Sequence, residues 1–197
     1  MKNRILAHCT DKSPLEKFLF KLADQLICEK GKARVIFASS FSFSGFKTLP
    51  AFGEVSVLYR VGGQCVTAFM LALEGIARER GARVTVSYSP LDRYRPESIY
   101  FHGSNCLVTS SAFPPCTNAL SEKRISLNRF MDKECVGAVH SRLCGLDKVM
   151  KELLTAAQKE LVLAREAHLD IEQIYIPAMD FSAMDEFTFN FIEKLFG

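Results

Sequence analysis

The sequence predicts an α/β domain with a mainly parallel sheet flanked by helices, on three observations. Residues 54–61 (EVSVLYRV) are β-branched and aromatic, run into the pair Gly62 and Gly63, and give way to helical periodicity over residues 67–80 (TAFMLALEGIARER). A second strand-like run, residues 82–88 (ARVTVSY), follows at once, and a strand, helix, strand order of this length is the crossover that sets two strands parallel. Two further short runs, residues 98–102 (SIYFH) and 105–110 (NCLVTS), are continuously apolar, which suits strands covered on both faces.

Taken in order, residues 13–30 place Leu15, Phe18, Leu19, Leu22, Leu26 and Ile27 at helical spacing, with Gly31 where a helix-ending glycine would sit. Residues 33–39 (ARVIFAS) read as a buried strand, and SSFSFSGFKTLP, broken by Gly45 and Pro50, as a loop. Pro114 and Pro115 break the chain after the last strand. From Leu146 to about Ile176, Leu146, Met150, Leu153, Ala157, Leu161, Ala164, His168 and Ile171 trace an apolar stripe on a helix that Pro177 ends or kinks. A final helix, about residues 184–196, is expected to turn Phe187, Phe191, Ile192, Leu195 and Phe196 towards the core. No repeat, linker or low-complexity tract divides the chain, so residues 1–197 read as one domain.

At 197 residues, 48% hydrophobic and 24% charged, the balance is that of a globular domain rather than a disordered or fibrous chain. Such a length buries roughly 70% of the unfolded surface without staples or a structural metal. The net charge of +3 comes from scattered basic residues and predicts no nucleic-acid partner. No apolar run approaches the roughly 20 residues of a membrane span, and the opening MKNRILAHCTDKSP lacks a signal-peptide core, so the expectation is a cytoplasmic protein with no membrane partner. The seven cysteines are never closer than nine residues apart, so reduced thiols are expected; a metal or redox site gathered in three dimensions from Cys and His is the alternative.

The glycine pair is the most informative segment. A glycine bend between a strand and a helix aims backbone N–H groups and the positive helix end at one point, which is how such folds hold phosphate. A phosphate loop also needs a lysine for the terminal phosphates and a hydroxyl for magnesium. The stretch reads Arg60-Val61-Gly62-Gly63-Gln64-Cys65-Val66-Thr67, and in either alignment frame Gln64 or Cys65 stands where the lysine should be. A plain turn is the competing reading.

Several strings resemble a family of bacterial P-loop ATPase-like proteins, often built as two tandem P-loop halves, and the chain is similar to one half. VIFASSFSFSGFK resembles the family's "FasA-T-GF" entry, EVSVLYRVGGQCVTAFM stands at its P-loop, and ERGARVTVSYSPLD resembles "erG-dve-yhcslDP". KRISLNRFMD resembles "rIn-g-fld", and AREAHLDIEQIYIPAMDF resembles "Ak-lHdelE-iYi-aMDF", keeping Ala164, His168, Glu172, Tyr175, Met179, Asp180 and Phe181 in order. The resemblance implies a three-layer P-loop NTPase-like fold, with ATP and magnesium as the ligands of intact members. It also implies a neighbouring P-loop half, supplied here by a second copy in a homo-oligomer or by another chain.

Family members carry a GPGTGKST-type loop, of which this chain keeps the glycine pair and Thr67: a degenerate Walker A loop. Arg60, Gly62, Gly63, Gln64, Cys65 and Thr67 are therefore the candidates for holding phosphate or another ligand. Asp92, where the family has an aspartate, is the candidate for magnesium or substrate, with a turn residue as its other reading. The next strand ends in Thr109, Ser110 and Ser111, where the family would supply a second acid. His168 and Glu172, four apart on one helix face, and Asp180 read either as a pocket rim or as a structural corner. Phe41, Phe43 and Phe46 read as anchors of their loop or as a stacking surface.

The function these readings support is a non-catalytic P-loop-like protein that binds a partner or a small molecule. One alternative is an ATP-binding protein or ATPase in which Arg60, Lys47 or a residue of another subunit replaces the lysine. Another is a thiol-based sensor or transferase using Cys65 at the helix start.

Overall fold

The computed structural model describes residues 8–110 and 117–196. Ser111, Pro114, Pro115, Cys116 and the side chain of Phe196, all invoked by the sequence reading, lie outside the described residues.

Helix α1, Lys12–Leu26, turns Leu19, Leu22, Ala23 and Leu26 inward at the spacing the sequence sets. It closes when Ile27 N donates to Ala23 O at 2.9 Å, so Gly31 does not end the helix. A Cβ on Gly31 would instead lie 2.8 Å from the Arg83 side chain, which makes this a close approach of two segments. Strand β1, Arg34–Ile36, follows.

The serine- and phenylalanine-rich stretch expected as a loop is a β-hairpin, β2 at Ser39–Ser42 and β3 at Gly45–Thr48. Alternating Ser and Phe is a strand pattern, and Phe41 pairs directly with Phe46, ring centroids 4.8 Å apart. The turn closes on Gly45 at φ 86°.

Strand β4, Glu54–Gly62, leads through the glycine turn into α2, Val66–Glu79, and on to β5, Val84–Ser89. Two hairpin connections then give β6, Asp92–Phe101, and β7, Cys106–Ser110. The sheet has six strands in the order β1-β5-β6-β7-β4-β8, where β8 is Asn118–Ser126, and only β6 runs against the rest. The expected crossover from β4 to β5 does make the two point the same way, but β7 and β6 lie between them.

The main core lies on one face, where Leu22 and Leu26 of α1 and Phe69, Met70 and Leu73 of α2 meet Val61, Val86, Ile99 and Val108. Burying each large side chain contributes about 1.5–3 kcal/mol. The opposite parity of the strands carries a smaller cluster, Leu58 and Leu107 under Ala38 and Phe52 at the feet of the hairpin. Within the body, then, α1 and α2 share one face and the hairpin segment covers the other, rather than helices on both.

After a 3₁₀ turn, Leu127–Phe130, the chain enters α3, Lys133–Tyr175, capped by Asp132, whose carboxylate accepts from Glu134 N and Cys135 N. A second 3₁₀ turn, Ile176–Ala178, links it to α4, Phe181–Phe196. The helix expected from Leu146 therefore starts thirteen residues earlier and runs for 43. Its expected inward stripe is not buried: Met150, Leu153, Ala157, Leu161, Ala164, His168 and Ile171 are exposed, and among all its residues Leu143 alone is fully buried. Phe187, Phe191, Ile192 and Leu195 of α4 are likewise exposed rather than turned to the core. The reason is geometric: a helix of this length, about 65 Å at 1.5 Å per residue, touches the hairpin through Gln158 and Arg165 and leaves most of its other surface uncovered.

Reduced thiols were the expectation, but Cys9 and Cys135 form a disulfide, Cα atoms 5.4 Å apart. Short backbone pairing brings them together, with Asp132 N donating to Cys9 O and Asp11 N to Phe130 O, each at 2.9 Å. Their 126-residue separation hides the pair from any reading of local spacing. Cys28, Cys65, Cys106 and Cys144 are free thiols. Among the described residues no helix is long and apolar enough to cross a membrane.

Candidate functional site

The C-terminal end of β4 carries the site, as the strand ends of parallel sheets commonly do. Gly62 ends the strand, Gly63 takes φ 102°, and Cys65 takes φ 60° directly before α2. Only a glycine adopts the Gly63 conformation without strain. Space makes a second demand there, because a Cβ on Gly63 would lie 2.5 Å from Asn128 Oδ1. That same oxygen accepts a hydrogen bond from Gln64 N at 3.0 Å. The amide of Asn128, delivered by the 3₁₀ turn after β8, thus occupies one backbone donor that an anion on the turn would use.

Beside the turn lies a cavity of 510 Å³, lined by Arg60, Gly62, Gly63, Glu122, Arg124, Ile125 and Ser126. Arg60 reaches it from β4, and Glu122 and Arg124 from β8. The two strands are paired in parallel, with Arg60 opposite Arg124 and Gly62 opposite Ser126. Arg60 Nε lies 2.9 Å from Glu122 Oε1 and Arg124 Nε 3.6 Å from the same oxygen. One carboxylate shared by two guanidinium groups leaves the cavity with one surplus positive charge. With Arg124 largely exposed, these pairs organise the wall and add little stability.

The remaining candidates disperse. Gln64 contributes its backbone N–H rather than a charge. Cys65 is buried against Leu143, with Val136 and Val139 packed beside it, and its sulfur is 3.4 Å from Thr10 Oγ1, so it faces the start of α3. Thr67 sits half-buried in the first turn of α2 and does not line the cavity. Asp92 opens β6, exposed, and its carboxylate accepts from Tyr94 N at 3.0 Å, which is the turn role. Lys47 is exposed on β3, away from the cavity lining.

His168 Nε2 lies 3.1 Å from Glu172 Oε1 on the distal half of α3, and Asp180 Oδ1 accepts from Ala183 N at 3.0 Å at the start of α4. None of the three lines the cavity; they brace helix turns within the C-terminal arm. Phe41 and Phe46 anchor the hairpin. Phe43 at its tip lies under the Arg165 guanidinium, 4.4 Å from ring centroid to carbon, and its carbonyl accepts from Gln158 Nε2.

Glu122, Arg124 and Asn128 were missed. They belong to or follow β8, whose sequence NALSEKRIS lacks alternation because eight of its nine residues are exposed. The asparagine within KRISLNRFMD was the available signal.

Two polar clusters lie elsewhere. Glu74 of α2 is buried, accepts from Arg78 Nε at 2.7 Å and from the Tyr88 hydroxyl at 2.5 Å, and so pins α2 to β5. Burial first and the bond to Glu74 second push the Tyr88 pKa up, while the bond to Glu74 raises that of Arg78. Buried Glu97 accepts from Ser39 Oγ at 2.7 Å, and its other oxygen meets no protein donor. Among the described residues no group of three or more His, Cys, Asp and Glu is placed to hold a metal ion. No family model, curated protein or solved structure matches the chain.

Proposed function

We propose that the chain is a P-loop NTPase-like domain that does not turn over ATP, and whose cavity beside the glycine turn binds a partner or a small ligand instead. The observation that carries this reading is Asn128, whose side-chain oxygen holds the Gln64 N–H at 3.0 Å and fills the space over Gly63. An internal neutral acceptor at that point competes directly with a phosphate oxygen, and among the described residues no ammonium group lines the cavity to compensate. The strand, glycine turn and helix agree with the family resemblance. The sheet's antiparallel β6 and the single helical face are the features any such assignment has to accommodate.

The purified protein is expected to release no phosphate from ATP and magnesium above a blank. A turnover abolished by Gly63→Glu would overturn the proposal. A second reading, ATP binding through a substitute cation, draws on Arg60 and Arg124, which share the cavity with Gly62 and Gly63. Calorimetric titration separates the two. Micromolar ATP binding lost in Arg60→Ala favours the substitute cation, and no binding favours the non-nucleotide reading.

A further inference from the structure

We propose that the protein is a dimer in which the C-terminal arm of each copy docks on the cavity-bearing face of the other. The arm, residues 166–196, exposes twelve large apolar side chains, among them Ile174, Phe187 and Phe189 at 78%, 72% and 64%. At roughly half exposure, and with about 150–250 Å² for each aromatic and somewhat less for each aliphatic side chain, they present on the order of 1,000 Å² of apolar surface. A monomer rarely leaves a contiguous apolar patch of more than a few hundred Å² open, and a stable interface takes about 800 Å² from each partner.

The arm has no place on its own body. Helix α3 is continuous to Tyr175, and its contacts with the hairpin, Gln158 Nε2 to Phe43 O at 3.3 Å and the Arg165 guanidinium over the Phe43 ring, lie ahead of the arm. Every described residue of α4 is exposed.

Charge identifies the occupant. Of the chain's 22 acidic and 25 basic residues, seven and one fall in residues 166–196, which makes the arm −6 and the rest of the chain +9. Two arms packed on each other would set like charges together. An arm laid on the body of a second copy pairs acid with base, and reciprocal exchange covers both arms under one two-fold axis. The receiving surface is the face of β8 bearing Arg124 and Leu120, the latter 86% exposed, continuous with the cavity that Arg60 lines. Asp185, Glu186 and Glu193 flank the phenylalanines of α4 and meet those arginines.

The inference does not depend on the P-loop reading, since nucleotide titration and oligomeric state are separate measurements. Sedimentation of the full chain at micromolar concentration is expected to give a dimer. Carbodiimide coupling of an isotope-mixed sample is expected to join Asp185, Glu186 or Glu193 of one copy to a lysine in the body of the other, rather than to Lys194 of its arm. Arg124→Glu, at a side chain that is 86% exposed and so outside the core, is expected to weaken the dimer at least tenfold, and adding Glu186→Lys to restore it. A monomer at 100 µM would overturn the proposal, as would arm-to-arm couplings, an Arg124→Glu dimer of unchanged strength, or a monomer that sediments with phosphatidylcholine vesicles.

Discussion

His102 illustrates how one side chain ties this fold to its medium. Its ring stands edge-on to Tyr100, with Nε2 2.9 Å from Thr85 Oγ1. Burial, and then the nearby charge of Arg83, push its pKa below the ordinary 6.5. The folded chain therefore resists a proton that the unfolded chain accepts, so the stabilisation is complete above pH 6.5 and is lost as the pH falls below it. Urea midpoints are expected to decline between pH 7 and pH 5, with a shallower decline in His102→Gln. A ring-proton NMR titration of His102 with its midpoint at or above 6.5 would contradict this. Asn128 acts differently at the same scale, since one amide oxygen satisfies a backbone donor and requires that position 63 carry no side chain.

Among the elements, α3 depends most on a single covalent tie. Cys9 and Cys135 clamp the segment before α1 to the first turn of α3, across 126 residues. In the chain-entropy treatment a loop of that length is worth about 4–5 kcal/mol, because the cross-link restricts the unfolded chain. Cys135→Ser, or reduction of the native protein, is expected to lower the urea midpoint markedly and to steepen the slope as the released unfolded chain exposes more surface, and an unchanged midpoint would count against the bridge. The cap at Asp132 survives either change. Thiol alkylation followed by mass spectrometry reads the bridge directly.

The body's periodic elements were legible: β4, α2 and β5 fall within two residues of the sequence expectation, because alternation and 3.6-residue spacing record which face each residue buries. What escaped has a physical reason in each case. β8 hides because an edge strand exposed over most of its length needs no pattern, and the hairpin at residues 39–48 because its serines suggest a loop. The stripe on α3 was visible, but a sequence does not say whether an apolar face meets its own core or another chain. Of the site, Gly62, Gly63 and Arg60 were readable from local order, whereas Glu122, Arg124 and Asn128 reach them only through pairing 64 residues away.

That pairing also orders events in time. β5, β6 and β7 form a meander of neighbours in the chain, so their ladders close over turns of a few residues, whereas β8 must find β4 across a long intervening segment. The meander is expected to acquire amide protection first and β8 last, as pulse-labelled refolding would record. The cavity and its arginines, lying on that final seam, would then take shape only when the rest of the sheet is already assembled.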